Sequence, residues 1–82
     1  MSSEERAREA EAQRSADRLA LALEDAGFDV GQDFPALHDA IGRQGSPVVR
    51  LGDVRPTTAD QLADVLSRAS ARGITLRRED DR

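Results

Sequence analysis

The start of the chain, up to Gly27, has the polar and apolar spacing of one long helix. Acidic residues follow Ser2 and Ser3, either of which can cap the helix start, and Gly27 stands where a left-handed C-cap is expected. On a helical wheel Leu19 and Leu23 share a narrow stripe that alanines continue toward the N-terminus. The pattern therefore predicts a helix of about 24 residues with one apolar stripe.

Leu21 lies on the opposite side of this predicted helix from Leu19 and Leu23, about 160–200° away at 100° per residue. A helix with leucines on opposite sides needs cover on both sides. Later elements of the same chain can wrap both sides, or a partner chain can cover one of them. The three leucines are therefore our candidate dimer interface.

The middle of the chain predicts a short helix and then a strand. Pro35 fits the first turn of a helix that ends at Gly42. Residues 48–54 carry three valines and a leucine and predict a strand, with Gly52 as a bulge or turn. Residues 28–30 are a candidate for a further, short extended piece.

A third helix is predicted after Pro56. Thr58 with Gln61 fits a capping box, and Thr57 with Asp60 is the alternative register. We expect the helix to end at Gly73. Its apolar face comprises Ala59, Leu62, Val65, Leu66 and Ala69.

Residues 74–76 predict a short final strand, so the order in the second half is strand, helix, strand. Such a unit has two parallel strands and a right-handed crossover. The expected fold is a small α+β domain over residues 19–76, preceded by the polar part of the long helix (1–18) and followed by a charged tail (77–82). Two strands make a poor sheet. Residues 28–30, or strands pooled across a dimer, could complete it.

Composition argues against catalysis. The chain has no Cys, Trp, Tyr, Lys or Asn, and its single histidine is His38. Most nucleophiles, general bases and soft metal ligands are therefore missing. Adjacent helical side chains diverge, so Asp39 is poorly placed to pair with His38. We expect no enzyme activity, no cofactor and no metal site.

Small size favours self-association. With 82 residues, few large apolar side chains and no cysteine, the chain has a thin core and no disulfide to support it. We therefore expect the chain to form a homodimer, which would support the thin core. The longest purely apolar run, residues 19–23, is too short to cross a membrane, and no signal peptide is visible. These features, with arginine used to the exclusion of lysine, favour a bacterial, cytoplasmic protein.

Charge is divided along the chain. Residues 1–41 hold four arginines and ten acidic residues, a net charge of −6, whereas residues 42–82 hold eight arginines and six acids, a net charge of +2. Arginines pair well with carboxylates and phosphates, so those of the second half could bind a partner or could instead pair with the acidic stretch from Glu24 to Asp39, within one chain or across a dimer. The candidate partner-binding residues are Arg50, Arg55, Arg43 and Arg72.

Two functions follow from these observations. The first is a small, non-enzymatic protein-interaction module, regulatory in role, that acts as a homodimer and binds a further protein. The alternative is a small nucleic-acid-binding regulator that uses the arginine-rich segment 43–78, although the chain is acidic overall and no aromatic side chains interleave the arginines.

Overall fold

The computed structural model describes residues 2–78 and shows a mixture of helix and strand. This confirms the α+β class and the long N-terminal helix, and a short second helix is present at other residues than those predicted. A 3-10 turn at Arg43–Gly45 joins the two strands. The elements in chain order are α1 (Ser3–Asp25), α2 (Val30–Asp33), β1 (His38–Ile41), β2 (Pro47–Arg50) and α3 (Pro56–Ala71).

Helix α1 begins and ends as its sequence predicts. The Ser2 hydroxyl accepts a hydrogen bond from the Glu5 backbone N–H, and the Glu5 carboxylate accepts one from the Ser2 N–H, which makes a capping box. At the other end Gly27 has a φ of 108°, and the Phe28 N–H donates to the Leu23 carbonyl at 3.0 Å. This left-handed C-cap turns the chain back toward α1.

The two strands form an antiparallel hairpin, with Asp39 opposite Val49 and Ile41 opposite Pro47. The predicted strand–helix–strand unit with parallel strands is therefore wrong. Only a tight turn is needed to join antiparallel strands, whereas parallel strands need a long crossover. The turn is built on left-handed backbone at Gln44 and Gly45, with φ values of 60° and 74°.

The predicted helix from Pro35 to Gly42 is also wrong. Helix α2 ends at Asp33, ahead of Pro35, because a residue that precedes proline is disfavoured in helical conformation. The segment that was expected to be helical instead contains β1. Four residues are too few for periodicity to separate helix from strand, and pairing with the valines of β2 decides the outcome.

Both flanking strand predictions are wrong as well. Residues 74–76 have no strand partner within residues 2–78, and residues 28–30 lead into α2 instead of joining the sheet. The strand predicted over 48–54 is shorter, because Gly52 turns the chain with a φ of 76°. A Cβ at this position would overlap that of Ala36. Of the predicted tail 77–82, residues 79–82 lie outside the described part of the chain.

Helix α3 begins before the predicted capping box. Arg55 is the N-cap residue and Pro56 is the first helical residue, so neither Thr57 nor Thr58 caps the helix. Proline is favoured at this position because its missing N–H would be unpaired there anyway. The predicted end is confirmed, since Gly73 follows the helix with a φ of 81°.

The core is small and lies where α1, α2 and α3 meet. Leu23, Phe28 and Phe34 form a buried cluster, and the two phenyl rings meet edge to face with centroids 5.5 Å apart. Helix α1 also lies against both strands, with Ala12 and Ala16 buried. The side chains that pack around the cluster come from the three helices and from the segments on either side of the hairpin: Leu19, Val30, Leu37, Val54, Leu62 and Val65.

Helix α3 is the most weakly attached element. The contacts between elements are concentrated among α1, α2 and the sheet, and α3 meets the core through Leu62 and Val65 on one face. Thr58 is also buried there, only 1% exposed, and its hydroxyl has no hydrogen-bond partner within residues 2–78. An unmade hydrogen bond of this kind is destabilising.

We therefore expect Thr58→Val to raise the free energy of unfolding by about 1 kcal/mol, because it keeps the shape of the side chain and removes the unpartnered hydroxyl. Urea unfolding measures this change. The matched control is Thr57→Val on the exposed neighbour, which should have little effect. A loss of stability in Thr58→Val alone would show that its hydroxyl makes a needed hydrogen bond.

Candidate functional site

Arg55 and Asp33 form the one salt bridge within residues 2–78, with the Arg55 Nη2 2.9 Å from the Asp33 Oδ1. The other oxygen of the Asp33 carboxylate accepts a hydrogen bond from the Asp29 backbone N–H at 2.9 Å. The Asp33 carboxylate thus binds the backbone N–H at the start of α2 and the arginine at the start of α3. Arg55 is 64% exposed and Asp33 18%, so the bridge lies at the surface.

The salt bridge stands beside an open cleft of about 430 Å³ between the end of α1 and the side of α3. Phe28 and Val65 are among the residues that line the cleft. Its polar residues include two acids and two arginines: Asp33, Asp64, Arg55 and Arg68. Such a surface can receive a polar group of a partner, because guanidinium and carboxylate groups both make charge-assisted hydrogen bonds.

The other three candidate arginines do not join Arg55 at this cleft. Arg50 ends β2 and Arg43 lies in the turn at the opposite end of that strand. Arg72 caps the C-terminal end of α3, a helix whose 16 residues span about 24 Å from its start near Arg55. The four arginines are therefore spread over different ends of the fold.

His38 lies at the surface, opposite Arg50 in the hairpin. Its Nδ1 donates a hydrogen bond to the Ala36 carbonyl oxygen at 2.7 Å, which fixes the orientation of the ring. Within the described part of the chain, no three or more His, Cys, Asp or Glu side chains are grouped so that they could hold a metal ion.

The three candidate leucines divide as the helical wheel predicts. Leu23 is buried in the core and Leu19 packs against it, whereas Leu21 is 63% exposed on the far side of α1. We call this far side the Leu21 face. It is a shallow surface that carries charges of both signs around an apolar centre, lined by Arg14, Asp17, Arg18, Leu21, Ala22 and Asp25.

Sequence reasoning missed two features of these surfaces. Leu66 belongs to the predicted apolar face of α3, but it is 60% exposed, because α3 presents only a narrow strip to the core. The role of Asp33 was also missed. The division of charge along the chain was the available signal, since it placed an acidic stretch before an arginine-rich one.

Comparison with known protein families, with curated proteins and with solved structures finds no match to this chain. Within residues 2–78, no helix combines the length and apolar character that a membrane span requires.

The two ends of the salt bridge should differ in their contribution to stability. Arg55→Ala removes an exposed ion pair, which is worth about 0.5 kcal/mol. Asp33→Ala also removes the hydrogen bond to the Asp29 N–H, so we expect a loss of about 1–2 kcal/mol. Urea unfolding of both variants measures the difference.

Arg50→Ala is the control, because Arg50 is exposed and makes no ion pair within the described residues. It should leave the free energy of unfolding unchanged. Equal losses in Asp33→Ala and Arg55→Ala would contradict the idea that the carboxylate serves both helices. Loss of protein or nucleic-acid binding in Arg50→Ala, with unchanged stability, would assign this arginine to recognition.

Proposed function

We propose that this chain is a small, non-enzymatic protein-interaction module, regulatory in role, that acts as a homodimer. The observation that carries the proposal is the large exposed surface. The chain exposes 6825 Å², whereas a folded monomer of this mass exposes about 4,800 Å². Its radius of gyration is 15.1 Å, against about 12 Å for a compact domain of this length. The excess surface is available for a partner.

Several large apolar side chains contribute to this surface. Three large side chains outside the core, Leu21, Ile74 and Leu76, are each more than 60% exposed. Single exposed leucines are common in soluble proteins. Here, however, the exposed apolar residues rival the buried ones in number and size, and the buried polar hydroxyl of Thr58 weakens the core further. Association would bury apolar area that the single chain cannot bury alone.

The chemistry of the side chains supports binding in preference to catalysis. The cleft beside Arg55 offers carboxylates, guanidinium groups and an amide, and the single histidine lies on the hairpin instead. A nucleophile activated by an adjacent base is the usual requirement of covalent catalysis. The side chains on these surfaces are suited to charge pairing and to apolar contact with a partner.

The Leu21 face is the first candidate for the dimer contact. It is also small. From Arg14 to Asp25 the helix rises about 17 Å, and a stripe about 10 Å wide over that length covers about 170 Å² per chain. A stable dimer needs about 800 Å² per partner. The Leu21 face can therefore form only part of the interface, and a second contact must supply the rest.

Replacing Leu21 with Glu should separate the dimer if this face is in contact, because a buried carboxylate without a partner is costly. Multi-angle light scattering at micromolar concentration gives the mass of the wild type and of the variant. We expect about twice the monomer mass for the wild type and the monomer mass for Leu21→Glu.

Leu51→Glu is the matched control, since Leu51 is also exposed but lies after β2, outside the Leu21 face. It should remain dimeric. A wild-type chain that is folded and monomeric at these concentrations would refute the proposed homodimer. Equal dissociation in both variants would show that added negative charge, and not the Leu21 face, controls association.

A further inference from the structure

Each strand of the hairpin has an outer edge at which alternate residues point their backbone groups away from the sheet. The Gly42 N–H donates to the Ser46 carbonyl at 2.7 Å, so these two residues are a hydrogen-bonded pair. Such pairs alternate with non-bonded pairs along an antiparallel ladder. The next two pairs along β1 therefore have opposite character: Ile41 with Pro47 is non-bonded, and Ala40 with Val48 is bonded. Consequently the N–H and C=O groups of Ile41 point outward. Those of Asp39, two residues earlier in the chain, also point outward.

The outer edge of β1 is a better site for a third strand than that of β2. Pro47 has no N–H, and it occupies one of the positions on β2 whose backbone points outward. Proline at such a position is a common means of blocking an edge. The side chains of β1 are also the more exposed: Asp39 and Ile41 are exposed, whereas Val48 and Val49 are half-buried.

Residues 74–78 have the character of a strand without a partner. Ile74 and Leu76 alternate with Thr75, and they are 67% and 72% exposed. The Ile74 N–H already donates to the Ala69 carbonyl at the end of α3. The backbone groups free to meet a sheet edge are therefore those of Thr75 and Arg77, and their spacing of two matches that of Asp39 and Ile41.

The geometry of α3 separates this segment from its own sheet. The helix begins at Pro56, shortly after β2, and its 16 residues carry the chain about 24 Å along its axis before residue 74 is reached. Contacts of α3 with the strands are sparse. A second copy can present its β1 edge to this segment without any rearrangement of α3.

Charge also favours a second copy. Arg77 and Arg78 follow the apolar part of the segment, and β1 carries Asp39 at its outward edge. At the end of β1, two acidic side chains of α1, Glu5 and Glu9, line a depression together with Ile41 and the basic side chain of Arg8. The carboxylates of Asp39, Glu5 and Glu9 are the groups around β1 that can pair with the basic end of the segment.

We propose that residues 74–78 of one copy add to the outer edge of β1 of a second copy as a third strand, and that the exchange is reciprocal. This inference rests on the proposed homodimer and supplies the second contact that the Leu21 face requires. Backbone hydrogen bonds to an exposed edge give affinity, and the flanking side chains give specificity, as in other cases of strand addition. The resulting dimer has two three-stranded sheets. Three strands are the smallest number that gives a sheet independent stability.

The test uses the full chain with Thr75→Pro, which removes the N–H that would pair with the edge. Thr75→Val is the matched control, because it keeps the N–H and favours strand. Sedimentation equilibrium should show that Thr75→Pro weakens dimerisation at least about tenfold. Thr75→Val should dimerise as tightly as the wild type or more so. A dimer unaffected by Thr75→Pro would overturn the exchange and leave the proposed homodimer intact.

Hydrogen exchange by NMR gives a second readout that separates the two claims. In the wild-type dimer the amides of Asp39 and Ile41 should be protected, and in Thr75→Pro they should exchange as fast as those of an open edge. Rapid exchange at both amides in a wild-type dimer would also overturn the strand exchange. A monomeric wild type would refute the proposed function itself.

Discussion

The edge-to-face contact between Phe28 and Phe34 is the interaction on which the rest of the fold depends. The rings meet at an interplanar angle of 77°, an arrangement that places the positive edge of one ring on the negative face of the other. Phe28 follows the C-cap of α1, and Phe34 follows α2. Their contact therefore fixes the reversal of the chain after α1. Leu23 completes the cluster, and side chains from the helices and from the segments that flank the hairpin pack around it.

A core built on two aromatic rings and one leucine has consequences for everything outside it. Helix α3 reaches this core with one narrow strip, so that Leu66 and the segment after Gly73 remain exposed. The surface bridge between Arg55 and Asp33 helps to hold the start of the helix, but an exposed ion pair contributes little. Within the described residues the sheet is also small, with two strands. In the proposed homodimer, a second copy covers the exposed apolar side chains and extends the sheet.

The sequence predicted those elements whose signals are local and repeated. The capping residues and the 3.6-residue period define α1, and the same period correctly separates Leu21 from Leu23. The hairpin could not be predicted in this way, because four-residue strands have no period of their own and their pairing depends on residues six to twelve positions apart. At α3 two local signals competed, and the preference of Pro56 for the first helical position outweighed the capping box at Thr58.

The site shows the same division between local and long-range information. The uneven charge along the chain suggested that arginines of the second half could pair with acids of the first, and Arg55 does so. Which acid it meets depends on the turn that brings α2 beside the start of α3, and nothing near Asp33 in the sequence reveals that turn. If the folded state is a dimer, its melting temperature must depend on protein concentration, because unfolding then releases two chains. Thermal unfolding followed by circular dichroism, from about 5 to about 500 μM, is the most direct measurement. We predict a melting temperature that rises steadily over this range, and a melting temperature that stays constant would contradict the dimer.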